Sequence, residues 1–142
     1  MATLDQAIQI AAKVHQGQKD KYGIPYILHP IRVMMRVNSE TEKIVAILHD
    51  VVEDSDLTLV DLKNEGFSSD IIDAVDALSK RDGEAYDDYI NRTTFNQIAI
   101  KVKLADLEDN MDLRRIDVVT ERNKESMAIY HKGWVKLSEL MK

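Results

Sequence analysis

The sequence contains no cysteine, so disulfides and thiolate metal sites are both excluded. Only two prolines and five glycines occur in 142 residues, and the hydrophobic period is helical nearly everywhere. No apolar run approaches the roughly 20 residues that a membrane span requires. The N-terminus, MATLDQAIQIAAKVH, lacks the basic start and small-residue cleavage site of a signal peptide. The expectation is a cytoplasmic protein with no membrane partner. Positive charge is in short supply, 19 Lys and Arg against 25 Asp and Glu, for a net charge of −6. Such a surface does not favour nucleic acid, whose non-specific binding depends on phosphate neutralisation. Phosphate loops of the GxxxxGK[ST] or GxGxxG kind are absent, as are CxxC and HExxH metal motifs.

What is present reads as one all-α domain over residues 1–142, long enough for a single substantial core. Thr3 with Gln6 is a capping-box pattern opening a helix from about residue 3 to 16. GQKDKYGIPY, Gly17 to Tyr26, is polar with two glycines and reads as a loop. Pro30 suits the first turn of a second helix, PIRVMMRV. Ser39 with Glu42 starts a third helix, expected to run unbroken over 40–54. Thr58 with Asp61 starts a short one that Gly66 can end. SSDIIDAVDALSK, EAYDDYINR and FNQIAIKVKLADLEDNM read as three more, and a long C-terminal helix runs from about Thr120 to Met141.

The segment KIVAILHDVVEDSD, Lys43 to Asp56, sets an imidazole and carboxylates into apolar surroundings. At about 100° per residue, with His49 at zero, Glu53 falls near 40°, Asp50 near 100° and Asp54 near 140°. Ile44, Val45, Leu48, Val51 and Val52 occupy the opposite arc. One face can be buried, while the other gathers groups able to bind a cation or move a proton. The plain alternative is a solvated, acidic helix end with a hydrogen-bonded histidine.

Elsewhere, His29 precedes Pro30, which pushes it out of the α region to the mouth of the helix, where it can aim into a pocket or simply pack. In KLADLEDNM, Lys103, Asp106 and Asn110 share one helix face. They suit a metal with a phosphorylated sugar, or an ordinary Lys–Asp pair. Lys19 and Lys21 in the loop, with Arg32 beyond it, are candidate phosphate contacts. Tyr22 and Tyr26 could offer a stacking face for a base, although Tyr26 is as readily packing. His15 reads as a core residue, His131 as a surface one, and Met34, Met35, Met111 and Met127 as core filler.

AAKVHQGQ, GIPYILHPIRV, ILHDVVEDSD and VKLADLEDNM occur in that order. Together they resemble the HD-domain phosphohydrolases, a metal-dependent all-α family forming a helical bundle. The similarity is greatest to the hydrolase domain of the bifunctional stringent-response enzymes and their stand-alone relatives, which degrade guanosine 3′,5′-bis(diphosphate), ppGpp. The resemblance spans roughly Leu4 to Leu113. It implies that His29, His49, Asp50 and Asp106 hold one divalent cation, that Glu53 and Asp54 position and activate the attacking water, and that Asn110 contacts the nucleotide sugar. Lys19, Lys21 and Lys103 would then offset phosphate charge. Mn²⁺ is the ion the resemblance implies; Fe²⁺, Co²⁺ and Zn²⁺ suit the same donors.

Two stretches depart from the pattern. Relatives place a basic residue and an aromatic or His-Asn pair where Leu107, Glu108 and Asp109 stand, and an arginine where this chain has KDKYG. The expected activity is removal of the 3′-pyrophosphate from ppGpp, with 142 residues leaving no room for an alarmone-synthesising domain. Hydrolysis of another nucleotide or phosphoester, or a binding module without turnover, are the alternatives. Oligomeric state is left open.

Overall fold

Four side chains that bond back to the backbone three residues ahead set the helical punctuation: Thr3, Ser39, Thr58 and Thr120 each form the first half of a complete capping box. In the computed structural model, which describes residues 1–142, the helices are α1 (Leu4–Val14), α2 (Leu28–Met35), α3 (Glu40–Leu48), α4 (Val51–Asp54), α5 (Leu59–Asn64), α6 (Ser69–Leu78), α7 (Tyr86–Thr93), α8 (Gln97–Asn110) and α9 (Glu121–Glu139). A 3-10 turn covers Leu113–Arg115. There is no strand, only an isolated antiparallel bridge between Lys19 and Pro25 that pins the loop after α1. The chain is an all-α helical bundle, and no helix is long and apolar enough to cross a membrane.

Helix α3 lies at the centre. Ile44, Val45, Ala46, Ile47 and Leu48 are all buried, against Ala7 and Ala11 of α1, Val33 of α2, Val75 of α6, and Ala99 and Val102 of α8. Ala46 falls in the polar arc of the helical wheel yet is fully enclosed. At Ala46 and His49 that arc therefore faces other helices, whereas Glu53 and Asp54 beyond it are exposed. Each side chain of the size of Ile47 or Leu48 contributes roughly 1.5–3 kcal/mol by leaving water. Helix α8 is buried on two sides, because a second apolar cluster joins its Ile100 and Leu107 to Tyr89 and Ile90 of α7 and Leu137 of α9. Charged residues on α8 between these clusters, Lys103, Asp106 and Asp109, are consequently buried too.

Three expectations are corrected. The helix expected over 40–54 breaks at His49 and Asp50. The cause is local: His49 Nδ1 donates to the Ala46 carbonyl at 2.5 Å, the acceptor that residue 50 would use in a continuing helix. Helix α2 begins at Leu28, so His29 is inside its first turn in spite of Pro30. Proline's missing N–H costs nothing there, since first-turn donors have no intrahelical partner. Met35 is 72 % exposed and fills no core, whereas Met34 and Met111 pack as expected.

The cap at α3 yields a stability prediction. Buried Glu42 accepts from the N–H groups of Asn38 and Ser39 and from Lys101 Nζ at 3.1, 3.2 and 3.2 Å. Burial pushes its carboxyl up, but these donors outweigh burial and hold it below the usual glutamate range. Glu42→Ala should cost about 1–3 kcal/mol in urea unfolding at neutral pH. Because the native pKa is lowered, that contribution is present above the ordinary glutamate pKa and disappears as pH falls through the native value. The difference between wild type and variant should therefore shrink as pH falls below the usual glutamate range; a pH-independent difference would assign the loss to packing alone.

Candidate metal centre

Four of the residues picked out in the sequence converge where α2, the α3–α4 break and α8 meet. His29 comes from the first turn of α2, His49 and Asp50 from the break, and Asp106 from the last turns of α8. His29 Nε2 lies 2.8 Å from Asp106 Oδ1 and 3.9 Å from Asp50 Oδ2. His49 Nε2 lies 3.1 Å from Asp50 Oδ2 and 3.5 Å from Asp106 Oδ1. Ligand atoms of His29, His49 and Asp50 all fall within 4.8 Å of one another. The break matters here, because Asp50 turns toward His49 instead of following the helix away from it.

The donors fit a divalent cation. His49 Nδ1 is spent on the Ala46 carbonyl, which leaves Nε2 buried beside the two carboxylates, 3.1 Å from Asp50 Oδ2 but out of line for a hydrogen bond. An orphaned buried imidazole nitrogen is costly, and a cation at the centre of the cluster would satisfy it. Two imidazoles with two carboxylates suit first-row divalent metals. Without an ion, like and unlike charges balance locally. Burial would push both imidazoles toward neutrality, yet Asp106 and Asp109 raise His29, and Asp50 and Asp106 raise His49 well above the usual range. Burial raises the Asp50 carboxyl, but the His49 charge outweighs it and brings the carboxyl down to about 2. Asp106 is likewise held well below the carboxylate range, chiefly by Lys103 against the effect of burial.

A cavity of about 450 Å³ opens from this cluster. His29, Asp50 and Asp106 line it, and so do Lys19, Lys21 and Asn110. Asn110 Nδ2 donates to Asp106 Oδ1 at 3.3 Å. Lys103 also lines the cavity, but its ammonium is engaged: Nζ is 2.7 Å from Asp106 Oδ2 and 5.0 Å above the Tyr89 ring. Its charge serves the Asp106 carboxylate first. Glu53 and Asp54 are not brought to the cavity wall. Glu53 lines a separate cavity and accepts a hydrogen bond from the Lys80 N–H. Asp54 accepts from Gln18 Nε2 at 3.1 Å and lies 3.8 Å from the buried His15. His131 lies on α9, against Trp134 and away from the site.

Sequence reasoning missed three contributions. Tyr26 is more than packing, since its hydroxyl donates to Asp50 Oδ2. Arg115 reaches the cavity from the 3-10 turn beside Arg32 of α2, adding cations that the loop lysines alone do not supply. Asp109, read as part of a departure, is fully buried and touches His29. The signal available for Asp109 was its position about one turn beyond Asp106 on the same helix.

No family model matches the chain. Curated relatives do. It is 36% identical over 124 residues to the guanosine-3′,5′-bis(diphosphate) 3′-pyrophosphohydrolase of Vibrio cholerae, an alignment covering 76% of this chain and 17% of that protein. Identity is 31% over 142 residues to the protein of the same name from Aquifex aeolicus, covering 89% and 20%. It is 29% to a GTP pyrophosphokinase of Streptomyces coelicolor, covering 89% and 17%. The chain thus spans about a fifth of the length of these relatives. Among solved structures, that of a metazoan ortholog of SpoT, described as hydrolysing ppGpp, superposes with a TM-score of 0.76 at 25% identity. The match covers 96% of this chain and 85% of that one.

Proposed function

The chain is related over most of its length to guanosine-3′,5′-bis(diphosphate) 3′-pyrophosphohydrolases, and on that premise we propose that it hydrolyses ppGpp to GDP and pyrophosphate with one divalent ion. The observation that carries the reading is the convergence of His29, His49, Asp50 and Asp106 from three separate helical segments, with an unpartnered Nε2 among them. Mn²⁺ is the proposed ion, with Fe²⁺, Co²⁺ and Zn²⁺ matched by the same donor set. Bound there, it would lower the pKa of a water and polarise a phosphoryl oxygen.

The protein's own groups supply the rest. Tyr26 and Lys103 fix the two carboxylates, Asp50 and Asp106, so that the donors are arranged before substrate arrives. Lys19 and Lys21 line the cavity and would take the phosphates, and Arg32 and Arg115, paired with Asp109, add positive charge along the same wall. Asn110, beside Asp106, keeps its amide oxygen for a ribose hydroxyl. Glu53, outside the cavity wall but close enough for the charges of Asp50 and Lys103 to act on its carboxyl, would with Asp54 orient the attacking water or take its proton. The substrate, a free nucleotide, suits a cytoplasmic setting, with residues 1–142 acting as one domain.

If Asn110 and the face it shares with Asp106 hold the sugar, the phosphate nearest the metal centre is the one joined to that sugar. Water oxygen then bonds to the ribose-linked phosphorus, the bond from that phosphorus to O3′ breaks, and O3′ leaves with a proton. Incubation of ppGpp with protein and Mn²⁺ in ¹⁸O-water should give GDP and pyrophosphate, with the label in pyrophosphate. Orthophosphate as the first product, or label in the nucleotide, would show that the substrate lies another way. The second reading, another nucleotide or phosphoester, would then take precedence. It is favoured by Lys19-Asp20-Lys21, where Asp20 Oδ1 is occupied by the Tyr22 and Ile24 N–H groups, and a panel of nucleotides would identify the substrate.

A further inference from the structure

His29 is held on both sides. Its Nε2 faces the metal centre, and its Nδ1 lies 2.7 Å from Asp109 Oδ2. Asp109 is 0 % exposed, so its carboxylate has no water to turn to. Its negative charge is met by a fork from Arg32, with Nε 2.8 Å from Oδ1 and Nη2 3.1 Å from Oδ2. Arg115 adds Nη1 at 3.4 Å from Oδ1 and Nη2 at 3.1 Å from the Asp109 carbonyl. Arg36 stands 4.0 Å from Oδ1. The other histidine is treated differently: His49 Nδ1 donates to a neutral backbone carbonyl.

We infer that Asp109 is a positioning residue for His29, holding the proton on Nδ1 so that Nε2 is the nitrogen left for a cation held together with Asp50, His49 and Asp106; the inference rests on the metal reading above. An ionised carboxylate can only accept, so the hydrogen of the Asp109–His29 bond belongs to Nδ1. A charged partner also makes the imidazole a better donor to a cation than a neutral one does. Arg32 and Arg115 keep that carboxylate ionised in a dry site, where an unpaired charge would be costly. The two imidazoles are therefore unequal ligands, one backed by a carboxylate and the other by a neutral carbonyl.

Calorimetric titration of the metal-free protein with Mn²⁺ tests this without measuring turnover. Wild type should bind one ion. Asp109→Asn, with its helical circular dichroism unchanged, should bind it about 10- to 100-fold more weakly. Arg32→Gln breaks the same ion pair but leaves the carboxylate on Nδ1, and should lose far less affinity than Asp109→Asn. Wild-type affinity in Asp109→Asn overturns the inference, as does an equal loss in Arg32→Gln, which would make the pair a fold element only. Should Asp109→Asn fail to fold, ¹⁵N shifts of the His29 ring in Zn²⁺-loaded wild type decide: a protonated Nδ1 is expected, and zinc on Nδ1 overturns it. A wild type that takes up neither Mn²⁺ nor Zn²⁺ overturns the metal reading itself, and this inference with it.

Discussion

Replacing His49 with alanine should strip the protein of most of its divalent ion and of its turnover together. The ring supplies a nitrogen that is already buried, already oriented by the Ala46 carbonyl and already without a partner. No neighbouring side chain can substitute, because Asp50, Asp106 and His29 are each committed to their own positions by Tyr26, Lys103 and Asp109. The loss of affinity should exceed the roughly 10- to 100-fold that an outer partner is worth. Elemental analysis of protein purified without chelator should find close to one equivalent in wild type and little in the variant. The fold should survive, since the lost hydrogen bond costs about 1 kcal/mol and lies at a helix break. A variant that binds metal as well as its parent would remove His49 from the ligand set.

Glu53→Gln should leave metal uptake intact and cut kcat by about 10²- to 10⁴-fold, the usual contribution of a general acid–base group. The amide keeps an oxygen for the Lys80 N–H, so the segment after α6 stays in place, and only the proton-accepting capacity is lost. The competing possibility is concrete. Glu53 opens onto a separate cavity shared with Lys80 and Arg81, and its bond to the Lys80 backbone resembles a structural cap. An unchanged kcat would assign it that role alone. Single-turnover measurement with metal at saturation separates the two, because it isolates the chemical step from ion binding.

The parts of the site legible in the sequence were those carried by residue type and local spacing. His49 with Asp50, Asp106 with Asn110, and the capping boxes all declare themselves within one or two turns of helix. What the sequence hid was long-range. Nothing near position 26 says that its hydroxyl meets Asp50, and nothing near 109 says that its carboxylate meets an imidazole 80 residues earlier. The wheel over 40–54 also misled, because a side chain, His49, captured the carbonyl that continuity needed. Lys103 looked free for a phosphate because an i, i+3 pair on an exposed helix is weak; burial of α8 on both sides commits that charge to Asp106 instead.

The ligand set joins positions far apart along the chain: His29 and Asp106 are 77 residues from each other. In a protein with no cysteine, an ion at that junction would be the nearest thing to a clasp, tying the front of the bundle to α8. Unlike a disulfide it would not restrain the unfolded chain, where the four donors are scattered. It would act on the native side alone, by mass action, adding about 2.7 kcal/mol when free ion stands 100-fold above its dissociation constant. The lifetime of the folded protein would then track the metal supply of its surroundings, so that metal starvation would lower the amount of protein as well as the activity of each copy.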